Sequence, residues 1–113
     1  MPTVPYKDSL KMMVKDNPEM AIEMLEDAVS TIMSGDLDDG RLLLRQFVNA
    51  TIGFPELAKL TGKDEKNLMR SLSQTGNPTA SNLFIILNAC TNVQGVKINA
   101  HLVSQTENTT MHP

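Results

Sequence analysis

The chain has no tryptophan, one tyrosine, three phenylalanines and one cysteine in 113 residues. A core must therefore be built from aliphatic side chains and methionine, and a single cysteine excludes a disulfide framework. Cys90 falls on an apolar helical stripe, which predicts a buried, inert thiol. Histidine is equally sparse. His101 and His112 stand apart from that cysteine and offer neither a nucleophile and base pair nor a metal set, so neither catalysis nor a cofactor is expected. No apolar run approaches the roughly 20 residues of a membrane-spanning helix. The opening MPTVPYKD lacks the basic and apolar regions of a secretory signal, and a cytoplasmic, non-membrane location is expected.

What is present is ordinary for a soluble globular chain: 41% hydrophobic and 20% charged residues. The patterning predicts an all-α domain over residues 1–103, with five to six short helices and a polar tail over 104–113, SQTENTTMHP, in which His112 needs no role. One helix is expected over 18–34, with Ala21, Leu25, Ala28, Val29 and Ile32 on one face, and another over 37–50, with Leu43, Phe47 and Ala50. Asn17 and Asp36 are their expected caps. Met12, Met13, Met20, Met24 and Met33 crowd this half as core fillers or as an adaptable partner surface, with core filling preferred. Asp36-Leu37-Asp38-Asp39-Gly40 resembles the start of a calcium loop, but its glycine comes one place early and Phe47 stands where a bidentate glutamate is needed.

The segment from Gly53 to Asn82 is the most specific. Leu57 and Leu60 give an apolar side to a first short helix, Ala58 allows a close crossing, and Gly62 suits a sharp turn. Asp64 caps a second helix over 64–73, which Leu68 and Leu72 anchor to the core. Two short helices fixed by a turn are the arrangement that docks a helix in DNA. Gly76-Asn77-Pro78-Thr79 then opens a third helix over about 79–92, capped by Asn77 or Thr79. Leu83, Ile86, Leu87 and Cys90 form its apolar face.

Net charge is −3, yet it is unevenly distributed. Residues 1–40 hold three lysines against nine acids, and residues 41–113 hold seven Lys and Arg against four acids. The half carrying the motif is basic, as phosphate binding requires. Lys59, Lys63, Lys66 and Arg70 can flank a groove, and Lys66, Asn67, Met69, Arg70 and Ser73 form the expected recognition face. Arg70 suits guanine, Asn67 adenine, and Glu65 can accept from cytosine. The amides around Asn77 and Thr79 either clamp a phosphate or serve only as a helix cap.

LAKLTG, NLMRSLS and GNPT, followed by an apolar helix and a short extended tail, resemble the addiction-module antidote family, the HigA-like antitoxins with a helix-turn-helix of the lambda-repressor type. The resemblance covers most of the chain, including Tyr6-Lys7-Asp8-Ser9-Leu10, Asp16-Asn17-Pro18-Glu19 and Gly35-Asp36. Two departures stand out: Lys63 replaces an apolar residue usual after the turn glycine, and Asp64-Glu65 place acids at the tip of the second helix. The resemblance implies an antitoxin that neutralises a RelE-like toxin and represses its own operon as a dimer. The acidic stretch between residues 8 and 39 would attract such a basic partner.

Val96, Ile98, Ala100 and Leu102 alternate with Lys97, Asn99 and His101, the pattern of a short strand with one buried face. That strand either pairs two copies about a two-fold axis or packs on its own core. In a dimer, two second helices would meet half-sites about one helical turn apart. A stand-alone phage-type repressor and a protein-interaction module with little DNA binding are the competing readings.

Overall fold

The computed structural model describes residues 6–105, with side chains from Ser9 onward. They form six helices: α1 (Tyr6–Asp16), α2 (Pro18–Met33), α3 (Leu37–Ala50), α4 (Gly53–Thr61), α5 (Glu65–Ser71) and α6 (Ala80–Gln94). The all-α expectation of five to six short helices holds, and α1 is the one whose bounds the sequence did not give. The polar tail from residue 106 on, His112 included, lies outside the described residues, as do the first five residues.

The most extensive contact joins α2 and α3, with α1 against both and α4 and α6 completing the bundle. Gly40 sets the closeness of the α2–α3 approach: a Cβ there would run into Ile32 Cγ1 and crowd the Ile32 backbone. Ala21, Leu25, Ala28 and Ile32 on α2, with Leu44, Phe47 and Val48 on α3, are buried in one core together with Leu57, Leu68, Leu72, Leu83, Ile86, Leu87 and Cys90. Burial of each larger aliphatic side chain contributes about 1.5–3 kcal/mol.

The helix starts follow local chemistry. Asp36 caps α3 by accepting from the Asp39 amide at 3.3 Å. Its carboxylate also raises the Asp39 pKa, first through a side-chain hydrogen bond and then through its charge. Asn17 takes the cap position of α2 but its side chain makes no capping bond; Pro18, which has no N–H to satisfy, opens the helix instead.

Three further expectations are corrected. Leu60 is half exposed rather than core-facing, because α4 turns Phe54 and Leu57 inward. Met20 and Met24 pack against the core, whereas Met12, Met13 and Met33 are exposed. No strand forms over 96–102 among the described residues. After Gly95, at φ +68°, Val96 donates its amide to the Thr91 carbonyl and rests on the core, so the segment begins by packing on its own chain. Leu102 is fully exposed, since no neighbouring strand supplies a ladder or an apolar face for it.

Candidate nucleic-acid interface

The α4–α5 corner is built by one glycine and two side-chain caps. Gly62 adopts φ +70°, a conformation that costs glycine little, and its amide donates to the Ala58 carbonyl at 2.9 Å. Thr61 Oγ1 donates to the Leu57 carbonyl at 2.8 Å and accepts from the Lys63 amide at 3.3 Å, which fixes the departing chain. Asp64 then accepts from the Asn67 amide at 3.2 Å and starts α5 at Glu65. Leu68 and Leu72 are buried beneath the helix and α5 packs on α4.

With that side fixed, the 100° step of a helix decides where the other residues go. Lys66 and Arg70, four apart, share the solvent side, and both are exposed with Asn67. Arg70 Nη1 donates to Asn67 Oδ1 at 3.1 Å, so the two residues expected to read separate bases are hydrogen-bonded to each other. Lys63, Asp64, Asn67 and Arg70 come together around one surface hollow of about 420 Å³ between α5 and α6, where Asn82 of α6 joins them.

The remaining expected residues separate. Glu65 and Met69 lie on the opposite flank of α5, around a second hollow of about 260 Å³ shared with Lys11 of α1 and Asn49 of α3. Lys59 is exposed on α4 and lines neither hollow. Ser73 Oγ donates to the Arg70 carbonyl at 2.7 Å, closing the end of α5. Thr79 accepts from the Asn82 amide at 3.1 Å and is the cap of α6, while Asn77 is exposed in the preceding loop. The hydroxyl of Thr79 is therefore engaged at the helix start where a phosphate clamp was one expectation.

Two residues outside the expected set hold this surface. Gly76 lies against the end of α5: a Cβ would collide with the carbonyl oxygens of Arg70 and Ser71. Arg41 is buried on α3, where its Nη2 donates to Asp38 Oδ1 at 2.8 Å and to the Gln74 carbonyl at 3.4 Å. Its Nε has no hydrogen-bond partner among the described residues. The spacing 41, 44, 48 was the available signal, since it puts Arg41 on the same helical stripe as buried Leu44 and Val48. No sequence signal marks Lys11, Asn49 or Asn82, which converge on α5 only through packing.

Among the described residues, no group of three or more His, Cys, Asp and Glu side chains is placed to hold a metal ion, and no helix is long and apolar enough to cross a membrane. Comparison with known proteins finds no matching family model, no matching curated protein and no matching solved structure. The functional reading is carried by the chemistry of the α5 surface.

Proposed function

We propose that the protein is a sequence-specific DNA-binding transcription regulator in which α5 is the recognition helix. The observation that carries this reading is the division of α5 into a buried side, Leu68 and Leu72, and an exposed side bearing Lys66, Asn67 and Arg70. A rigidly anchored short helix presenting two cations and an amide suits a major groove, where guanidinium and amide groups distinguish base edges. Lys59 and Lys63 add positive charge beside it.

The resemblance to the HigA-like antitoxins extends the proposal: the regulator is the antitoxin of a type II toxin-antitoxin module, acting as a homodimer on its own operator and neutralising a RelE-like toxin. The exposed carboxylates Glu19, Glu23, Glu26 and Asp27 of α2 support a basic protein partner. The same acidic surface supports a second reading, a protein-interaction module with little affinity for DNA.

A gel-shift titration against the DNA upstream of the gene, at two salt concentrations, separates these readings. Saturable, sequence-selective and salt-sensitive binding is the expected result; binding no better than to a random duplex moves the function to protein interaction. A short neighbouring reading frame for a basic protein is expected beside the gene, and its absence favours a stand-alone repressor.

A further inference from the structure

The two hollows flanking α5 carry matching chemistry. On the α6 side stand Lys63 and the amide of Asn82, and on the α1 side stand Lys11 and the amide of Asn49. Each flank also holds one carboxylate, Asp64 on the first and Glu65 on the second. Asp64 is turned to the backbone, accepting from the Asn67 amide at 3.2 Å. Glu65 makes no such cap and lines the same hollow as Lys11.

A helix with its side chains is about 10–12 Å across and the major groove is about 12 Å wide, so a helix seated there has a sugar-phosphate strand on either side. Phosphate strands are held by ammonium groups and by side-chain amides. Resting on the DNA-binding reading above, we propose that α5 is a ridge straddled by both strands of one duplex, with Lys63 and Asn82 holding one strand and Lys11 and Asn49 the other. This makes α1, which packs on α2 and α3, part of the nucleic-acid surface.

The test uses the full chain and two probes, the duplex upstream of the gene and a random duplex. One phosphate contact changes the logarithmic salt slope by about 0.9, which corresponds to roughly a 3.5-fold smaller loss of affinity between about 50 and about 200 mM salt. Lys11→Gln is expected to reduce the slope by about one on both probes, and Lys11→Arg to restore it. Asn82→Ala is expected to remove phosphate-ethylation interference on one strand, and Lys11→Gln on the other. Lys97→Gln, on the segment after α6, is the control and leaves both readouts unchanged. Wild-type binding with an unaltered slope and unaltered interference in both variants overturns the two-flank seat alone. Absence of wild-type binding to either duplex overturns the DNA-binding reading, and the seat with it.

Discussion

The buried Arg41 guanidinium donates to the Gln74 carbonyl across 33 residues of chain, tying the second turn of α3 to the loop that follows α5. Its other partner, Asp38, is 84% exposed, so the ion pair is largely open to solvent on the acid side. The stabilising part of the arrangement is therefore the packed stem of Arg41 and its hold on the loop. Arg41→Ala should lower unfolding stability by about 2 kcal/mol, Arg41→Met by less, and Asp38→Asn by under about 1 kcal/mol. Urea unfolding of the three variants checks the order; an Asp38→Asn loss equal to that of Arg41→Ala would mean that the ion pair is the main contribution.

Gly76 should not tolerate a side chain. Because the obstructing atoms are backbone carbonyl oxygens of Arg70 and Ser71, neither can move without uncoiling the end of α5. Gly76→Ala is expected to destabilise by about 1–3 kcal/mol. It should also weaken DNA binding, whereas Thr75→Ala, at an exposed neighbour, should change neither. Parallel thermal melts and gel shifts measure both effects.

The two leucines under α5 and the exposed Leu60 together test how α4 and α5 are oriented on the core. Leu68→Ala and Leu72→Ala remove fully packed side chains and should each cost about 2–5 kcal/mol. Leu60→Ala, at a position 50% exposed, should stay within about 0.5 kcal/mol of wild type. Equal losses at Leu60 and Leu68 would show that α4 is rotated from the orientation described.

On the exposed side, Arg70→Ala should weaken specific binding by about 1–3 kcal/mol. It also frees Asn67 Oδ1 from its 3.1 Å bond, so Asn67→Ala and Arg70→Ala should be non-additive in a double-mutant cycle. Lys59→Ala and Lys66→Ala should instead lower affinity on every sequence and flatten the salt slope. Unchanged affinity in Arg70→Ala removes that residue from the recognition face.

Burial pushes the Cys90 thiol up to about 12. The folded state then holds this proton more tightly than the unfolded chain, whose cysteine titrates near about 8.5. The associated stability is complete below that value and is lost as pH rises toward 12, by up to about 1.4 kcal/mol per pH unit from this group. Cys90→Ala should abolish this component of the alkaline slope while leaving the rest. A thiol reagent at neutral pH should label the native protein only as fast as it opens, and rapid stoichiometric labelling would contradict the buried position.

Periodicity alone determined most of the core. Leu83, Ile86, Leu87 and Cys90, like Ala21, Leu25, Ala28 and Ile32, recur at three- and four-residue steps, and all are buried, because a helix leaves such residues one face to hide. The caps at Asp36 and Asp64 were equally legible, since a short polar side chain before a helix has a free amide within reach, while at the start of α6 the structure chose Thr79 over Asn77. Local pattern could not decide which side of a nine-residue helix faces inward: Leu60 is exposed and Phe54 buried because α3 and α6 pack on the Phe54 and Leu57 side of α4. Nor could alternation at 96–102 make a strand, for a strand exists only through hydrogen bonds to a neighbour. The meeting of Lys11, Asn49 and Asn82 with α5, and the reach of Arg41 to Gln74, belong to the tertiary structure alone, since only packing brings residues so distant in the chain within contact range.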